Sequence, residues 1–257
     1  SSIDHRLGEE EIILVGISVC AKMLIDSVFI SFYDNCTNAL PVINPGYTTK
    51  ETKTLMKPLN TSTLDLPLEP ALQKKWQALI ARLQSLGGAV VAFSGGVDSS
   101  CLAVAAHLVL APRMLAVTIR SIVETEGLMQ TASVIAMQFG FPHQIVDYDK
   151  LKDPEYVENS PDRCYVCKSV DLDIITRIAQ KANIPYVLLG ANAEDLGDYR
   201  PGLRAAHELG VISPLAEVGL VKQEVRALSR ALGLGNWNFP ASPCLASRIP
   251  YGSPVTR

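Results

Sequence analysis

The sequence lacks a marked excess of charge of either sign and lacks the cysteine content of a disulfide-stapled protein. Lys and Arg number 23 and Asp and Glu number 26, and the resulting net charge of −3 argues against a broad nucleic-acid-binding face. Six cysteines in 257 residues are too few for a disulfide scaffold, so a Cys-x-x-Cys pair is more typical of metal or redox chemistry in a reducing compartment. We therefore expect a cytoplasmic globular protein that binds no nucleic acid.

One apolar run, residues 12–33, is long enough to cross a membrane. Lys22 and Asp26 interrupt it, and burying both would cost roughly 5–7 kcal/mol, about as much as its apolar residues return. Three glutamates precede the run, where a signal peptide would have basic residues. The run is therefore either a membrane anchor or an irregular N-terminal extension, and we favour the extension.

The chain divides into an N-terminal part without clear periodicity and a regularly patterned remainder. Residues 1–66 comprise an extension and a linker, which is rich in Pro, Thr, Asn and Lys from residue 41 onwards. Residues 67–257 alternate short apolar runs with segments of helical periodicity, which predicts right-handed βαβ crossovers. We expect an α/β fold with a doubly wound parallel sheet and helices on both faces. The predicted strands are 89–93, 114–119, 143–148 and 186–189, and the predicted helices are 69–86, 99–110, 124–139, 162–182, 202–209 and 221–232.

A glycine-rich turn joins the first predicted strand to the following helix. Gly95 and Gly96 have no Cβ, so backbone N–H groups can approach an anion in the positive field of the helix N-terminus. A carboxylate here, Asp98, would repel phosphates unless it holds Mg²⁺. The turn lacks the lysine of a Walker A loop, and an ordinary capped turn is the alternative. The predicted ATP-binding residues are Ser94, Gly95, Gly96, Val97, Asp98, Ser99 and Ser100, with Gly190 and Asn192 from a later segment.

That later segment follows the predicted strand 186–189. Ligands of open parallel sheets bind at the carboxyl ends of the strands, so Gly190 and Asn192 are expected near the glycine-rich turn. Asp195 is a candidate second ligand of Mg²⁺. The alternative is a plain turn, because Asn and Asp are the residues that turns favour.

Three cysteines form a second candidate site. Cys164 and Cys167 are three residues apart at a predicted helix start, where both face one side and the helix dipole lowers thiol pKa values. Cys244 lies in a proline-rich loop. Three clustered thiolates suit an iron–sulfur cluster with one open iron, or a zinc ion with one outside ligand. Structural zinc and unligated thiols are the alternatives, and Cys101, inside an apolar helix, is expected to serve packing.

The turn and the cysteines together resemble a known family. Ser94-Gly95-Gly96-Val97-Asp98-Ser99 resembles the motif of PP-loop ATP pyrophosphatases, which include NAD synthetase, GMP synthetase and tRNA thiolation enzymes and cleave ATP between its α and β phosphates. From about residue 72 to residue 257, the chain resembles the LarE family of ATP-dependent sulfur transferases of nickel-pincer nucleotide synthesis. The matching stretches are 94–100, 161–168, 190–195, 199–202, 213–215 and 244–252, of which the last is the most specific.

The resemblance implies a reaction in two steps. A carboxylate of a pyridinium mononucleotide attacks the α phosphate of ATP and pyrophosphate leaves; sulfur then replaces AMP. Catalytic roles follow for Asp98 and Cys244. The family's three-cysteine form implies a [4Fe–4S] cluster on Cys164, Cys167 and Cys244, whereas in its sacrificial form the cysteine equivalent to Cys244 alone gives up its sulfur.

The resemblance also bears on the partners of the chain. Arg200, Arg204 and Arg248 are candidates for binding the phosphate of the small-molecule nucleotide substrate, because guanidinium suits that oxyanion. The resemblance provides no counterpart for the N-terminal extension, and we expect that the C-terminal region of the family is missing. We expect a homo-oligomer when the protein is full length.

Three other functions remain open. A PP-loop tRNA thiolase would favour a basic face, which a net charge of −3 opposes. An amidating enzyme like NAD or GMP synthetase would need no clustered thiols. A non-catalytic nucleotide- or metal-binding protein would not need to keep Asp98 and all three cysteines.

Overall fold

The computed structural model describes residues 66–197 and 200–257. The predicted N-terminal extension and linker, apart from Leu66, lie outside the described residues, as do the apolar run 12–33 and Tyr199 of the family-like stretch 199–202. Within the ranges described, no helix combines the length and the apolar character needed to span a membrane.

Four parallel strands form one sheet in the order β3-β2-β1-β4. The central strand places Ala92 opposite Val117 on one side and Leu189 on the other, so the carboxyl ends of these three strands lie level. The predicted parallel sheet is confirmed, with boundaries within about one residue of those expected. The strands are β1 Ala89–Ala92, β2 Met114–Arg120, β3 His143–Asp147 and β4 Tyr186–Leu189.

Helices cover both faces of the sheet, as predicted. Val91 and its neighbours on one face of β1 belong to a cluster with α1, α2 and α8, whereas Val90 and Ala92 on the other face pack with α5. The short helices α4 and α7 were not predicted. The helices are α1 Pro70–Gln84, α2 Val97–Leu110, α3 Glu126–Phe139, α4 Pro154–Val157, α5 Arg163–Lys181, α6 Pro201–Glu208, α7 Pro214–Glu217 and α8 Lys222–Ala231.

The C-terminal segment folds back over the carboxyl end of the sheet. The N–H of Leu245 donates to the carbonyl of Val123, just after β2, at 2.9 Å, and the N–H of Val255 donates to the carbonyl of Val157 at 2.9 Å. A small apolar cluster lies beneath the segment and includes Tyr156 and Ala246. These contacts bring the loop that carries Cys244 to the edge of the sheet where the glycine-rich turn lies.

Candidate active site

The glycine-rich turn between β1 and α2 is closed by its own hydroxyl groups. The Ser94 and Ser99 Oγ atoms are 3.0 Å apart, and the N–H of Gly96 donates to Ser94 Oγ at 3.3 Å. Gly95 has a φ of +79°, and a Cβ there would lie 2.4 Å from the carbonyl oxygen of Leu128. The turn therefore requires glycine at this position both for its backbone conformation and for its close approach to α3.

Asn236 also fixes the turn, and the sequence analysis missed it. Its side chain is buried, and Nδ2 donates to the carbonyl of Gly95 at 2.9 Å and to Ser100 Oγ at 3.0 Å. An asparagine among glycines has the composition of a surface turn, so no local pattern distinguishes it.

The segment after β4 lies directly against the start of α2, as predicted. A Cβ on Gly190 would be 2.7 Å from the backbone nitrogen of Ser99, so only glycine allows this packing. Asn192 is buried, and its Nδ2 lies 3.4 Å from Asp98 Oδ1. The structure thus brings together the two segments that were assigned to ATP.

Lys222 forms an ion pair with Asp98 and is the second residue that the sequence analysis missed. It is the first residue of α8, where the positive end of the helix dipole opposes a cation. A lysine at this position is unfavourable unless it pairs with an anion. A lysine at the start of a predicted helix was therefore the feature of the sequence that indicated an anionic partner for Lys222. The pair places a positive charge at the glycine-rich turn, which otherwise offers only neutral donors.

Asp195 contacts its own turn and a predicted phosphate ligand. Its Oδ2 accepts the N–H of Asn192 at 2.9 Å, and its Oδ1 lies 2.7 Å from Arg200 Nη1. The roles predicted for Asp195 in holding Mg²⁺ and for Arg200 in binding a substrate phosphate stay predictions.

A cleft of about 190 Å³ joins the glycine-rich turn to the helix that carries Cys164 and Cys167. Ser94 and Asp98 lie at one end of it, and Lys168 and Asp171 of α5 lie on its wall. The remaining wall is largely apolar and comes from β1, β2, α3 and α5. A nucleotide bound with its phosphates at the turn would therefore have the cysteine-bearing helix beside it.

A buried polar contact fixes the wall of the cleft next to the turn. Thr118 Oγ1 donates to the carbonyl of Phe93 at 2.5 Å and lies 2.7 Å from His143 Nε2. Burial lowers the pKa of His143 to about 4, so the ring is neutral near pH 7 and Nε2 can donate its hydrogen to Thr118. The contact holds the residue that precedes Ser94.

Two of the three predicted cysteines share one apolar cluster. Cys167 and Cys244 both pack against the cluster that contains Tyr156 and Ala246, whereas Cys164 is exposed. Burial raises the pKa of Cys167 to about 11, and the Asp171 carboxylate adds to this rise. The expectation that the helix start lowers this pKa is therefore wrong for Cys167, because desolvation and a neighbouring carboxylate outweigh the helix dipole.

A buried lysine contacts the sulfur of Cys167. Lys150 is 2% exposed, and its Nζ lies 3.0 Å from Cys167 Sγ, 3.1 Å from Asp171 Oδ2 and 3.2 Å from Glu124 Oε1. Burial alone would lower the pKa of Lys150, but the surrounding acidic groups raise it overall, so the ammonium stays charged. Glu124 and Asp171 also line the cleft, so this cluster connects the sulfur of Cys167 with the nucleotide site.

Asn159 and Arg163 fasten the Cys244 loop to the start of α5. Asn159 is buried with a φ of 58°, and its Nδ2 donates to the carbonyls of Pro250 at 2.8 Å and Ser253 at 2.6 Å. Arg163, which precedes Cys164, donates to the carbonyl of Ala246 at 2.8 Å and to Asn159 Oδ1. Sequence patterns did not indicate either residue, since their contacts with the Cys244 loop join positions more than 80 residues apart.

The remaining predicted site residues lie around this end of the molecule. Arg204 lies 4.3 Å from the ring centroid of Tyr165 and 3.1 Å from Asp162. Arg248 is exposed on the turn Leu245–Arg248. Cys101 is fully buried in α2, and burial raises its pKa to about 12, which agrees with the predicted role in packing. The assignment of Arg204 and Arg248 to a substrate phosphate remains a prediction.

The three thiols do not form a metal site as they are placed. Over residues 66–197 and 200–257, no three His, Cys, Asp or Glu side chains are grouped so that they could hold a metal ion. Thiolates are suitable ligands for an iron–sulfur cluster, but Cys164 is exposed while Cys167 contacts a lysine. The expected three-cysteine ligand set is therefore not gathered in this structure.

Comparisons with known proteins agree with the geometry. The model of the NAD synthase family matches residues 72–161. An uncharacterized protein of Synechocystis sp. is 40% identical over 185 residues, covering 72% of this chain and 69% of that protein. The pyridinium-3,5-bisthiocarboxylic acid mononucleotide synthase of Lactiplantibacillus plantarum is 37% identical over 186 residues, covering 72% of this chain and 67% of the synthase.

Two solved structures share the fold. NMN synthetase from Francisella tularensis superposes with a TM-score of 0.53 at 18% identity, covering 68% of this chain and 76% of its own. The U34-tRNA thiolase NcsA from Methanococcus maripaludis, solved with its [4Fe–4S] cluster, has a TM-score of 0.50 at 16% identity, covering 69% of this chain and 71% of its own. At such low identity these likenesses concern the fold alone.

Proposed function

The chain belongs to the LarE family of PP-loop, ATP-dependent sulfur transferases, and from this premise we propose that it adenylates a carboxylate of a pyridinium mononucleotide and replaces AMP by sulfur. The observation that carries the proposal is the cleft that joins the glycine-rich turn to α5, the helix that carries Cys164 and Cys167. A carboxylate held in this cleft would lie between the phosphates of ATP and the thiols.

The first step is attack of the substrate carboxylate on the α phosphate, with pyrophosphate as the leaving group. Backbone N–H groups at the start of α2 and the ammonium of Lys222 stabilise the negative charge that develops on the phosphates. Asp98 is partly exposed at the cleft wall and presents a carboxylate suited to the Mg²⁺ that accompanies ATP. An ion held by Asp98 would supply positive charge to the phosphates of the departing pyrophosphate.

The second step is attack of sulfur on the acyl adenylate. When Cys244 supplies the sulfur, a carbon–sulfur bond forms at the carbonyl as the bond to the AMP oxygen breaks, which gives a thioester. Loss of the Cα proton of Cys244 then breaks its Cβ–Sγ bond, which releases the thiocarboxylate and leaves dehydroalanine. Cys167 is a neutral thiol near pH 7, because burial raises its pKa to about 11, and a neutral thiol is a poor nucleophile. The family resemblance assigns the attacking sulfur to Cys244, which packs on the same cluster.

The [4Fe–4S] cluster on Cys164, Cys167 and Cys244 stays a prediction of the sequence, and no step above depends on it. Iron and acid-labile sulfide analysis of anaerobically purified protein tests it. If the cluster forms, Cys→Ala changes at all three positions should lower bound iron and stop sulfur transfer. If Cys164→Ala and Cys167→Ala still transfer sulfur but Cys244→Ala does not, one sulfur per chain comes from Cys244 itself.

The proposed activity is tested by incubating the protein with ATP, Mg²⁺ and a pyridinium mononucleotide that carries carboxylates. We expect pyrophosphate release that depends on this substrate, and a thiocarboxylate product that mass spectrometry identifies. Transcribed tRNA, or nicotinic acid adenine dinucleotide with ammonia, should elicit no pyrophosphate. Release with tRNA or with ammonia acceptors, and none with the pyridinium compound, would replace the proposal with a thiolase or an amidating enzyme.

A further inference from the structure

The peptide unit between Gly95 and Gly96 is held from one side by a buried amide. Asn236 is 2% exposed, and its Nδ2 donates to the carbonyl of Gly95 at 2.9 Å and to Ser100 Oγ at 3.0 Å. In the part of the chain that the structure describes, no backbone N–H donates to this carbonyl. The orientation of the Gly95 carbonyl therefore depends on the Asn236 amide.

The chemistry of this contact requires the nitrogen of the amide and not its oxygen. A carbonyl oxygen can only accept a hydrogen bond, so the atom of Asn236 that faces Gly95 must be the donor. The oxygen of the amide, Oδ1, is buried and has no partner among the described residues. An unsatisfied buried acceptor is destabilising, so the side chain contributes through its two donor contacts alone.

The peptide unit that the amide holds could otherwise rotate. Gly95 has a φ of +79° and Gly96 a φ of −71°, and glycine adopts either sign of φ at little steric cost. In a planar trans peptide, the carbonyl and the following N–H point in opposite directions. Since the Gly95 carbonyl faces Asn236, the Gly96 N–H faces the other way, where it donates to Ser94 Oγ at 3.3 Å on the wall of the cleft.

We propose that Asn236 is a positioning residue for adenylation, which holds the Gly95–Gly96 peptide with its N–H, and not its carbonyl, towards the phosphates of ATP. The proposal rests on the adenylation step proposed above. A peptide turned the other way would present a carbonyl oxygen, whose partial negative charge would repel the phosphates. In the orientation that Asn236 holds, the N–H is a donor for the anion.

Asn238 provides a matched comparison two residues along the chain. It is exposed, and its Oδ1 accepts a hydrogen bond from Arg226 Nη1 at 2.9 Å. Asn238→Asp keeps this acceptor, whereas Asn236→Asp replaces a donor by an acceptor that faces the carbonyl of Gly95. The same substitution should therefore disturb the turn at one position and leave it intact at the other.

The test measures binding of ATP and of adenosine by calorimetry, for the wild type and for Asn→Asp and Asn→Ala changes at positions 236 and 238. Adenosine has no phosphates, so its affinity should not depend on the direction of the Gly96 N–H. Both changes at position 236 should weaken ATP binding at least about tenfold, because a hydrogen bond to a charged group is lost. Their adenosine binding should not change, and the changes at position 238 should affect neither ligand.

Nuclear magnetic resonance of the wild type decides the matter if the variants at position 236 fail to fold, as circular dichroism would reveal. In protein made with isotope-labelled glycine, saturating pyrophosphate should shift the amide resonance of Gly96, because its N–H binds the anion. An unshifted Gly96 resonance would overturn the proposal. So would unchanged ATP binding by folded Asn236→Asp and Asn236→Ala, or equal losses of ATP and adenosine binding.

Pyrophosphate release separates this inference from the proposed function. A wild type that binds ATP but releases no pyrophosphate with the pyridinium mononucleotide would contradict the proposed function. A selective loss of ATP binding in Asn236→Ala would still show that Asn236 directs the turn towards phosphates. Conversely, wild-type ATP binding by Asn236→Ala, together with thiocarboxylate formation by the wild type, would overturn the role of Asn236 and leave the proposed function standing.

Discussion

The two ends of the cleft are built in different ways. At the phosphate end, Ser94, Gly96 and Ser99 form hydrogen bonds with one another within six consecutive residues. At the cysteine end, the thiols depend on contacts between distant positions, such as Lys150 with Glu124 and Arg163 with Ala246. A local motif therefore defines the glycine-rich turn, whereas the Cys244 loop is in place only once the C-terminal segment has docked. Changes at one end should leave the chemistry of the other intact.

Asp98→Asn is expected to give the largest difference between the two ends of the cleft, because it should impair adenylation alone. The change removes the carboxylate that pairs with Lys222 and is assigned to Mg²⁺, and losing such an electrostatic stabiliser typically costs about 10²–10³ in rate. Pyrophosphate release should fall by that factor, while alkylation of Cys244 and the unfolding temperature stay near those of the wild type. Unchanged pyrophosphate release would remove Asp98 from the reaction.

A smaller loss at the same end is expected from Lys222→Gln. Removing this ammonium should slow pyrophosphate release about tenfold to a hundredfold, because Mg²⁺ still neutralises part of the charge. Lys74→Gln, on the exposed face of α1, is the matched control and should leave the rate of pyrophosphate release unchanged. If both variants behave alike, the contact between Lys222 and Asp98 is structural only.

Arg163→Met probes the cysteine end. Losing the hydrogen bonds of a buried guanidinium to Ala246 and Asn159 should lower the free energy of unfolding by about 2–3 kcal/mol. It should also speed proteolysis within residues 240–257. Arg230→Met, which removes an exposed guanidinium over Trp237, should change stability by no more than about 0.5 kcal/mol. Equal effects of the two changes would show that the C-terminal segment does not depend on Arg163.

The smallest effect concerns the pH dependence of Cys167. Its raised pKa means that folding favours the neutral thiol, so its contribution to stability is complete below the unfolded pKa and is lost as pH rises toward about 11. Alkylation needs the thiolate, so its rate at Cys167 should keep rising up to about pH 11. Asp171→Asn should shift this profile to lower pH, because the carboxylate helps to raise the pKa. Peptide mass spectrometry after timed alkylation measures the rate at Cys167 at each pH. A rate that levels off near pH 8 would contradict the burial of this thiol.

The same contrast explains what the sequence could predict. Strands, long helices and the glycine-rich turn follow from periodicity and from glycine chemistry within short windows, and the structure confirms them. Asn236, Asn159 and Arg163 could not be found in this way, because their partners lie more than 80 residues away except for the contact between Asn159 and Arg163. The pKa of Cys167 was misjudged for the same reason: the helix dipole is visible in sequence, but burial beside Asp171 is not.

The most direct test of the account is a single-turnover reaction of Cys244→Ala beside the wild type, with pyrophosphate and thiocarboxylate measured in the same samples. Adenylation depends on the phosphate end and sulfur transfer on the cysteine end. We therefore predict that Cys244→Ala releases pyrophosphate at the wild-type rate and forms no thiocarboxylate. Thiocarboxylate formation by Cys244→Ala at the wild-type level, or loss of both products together, would contradict the division of the reaction between the two ends of the cleft.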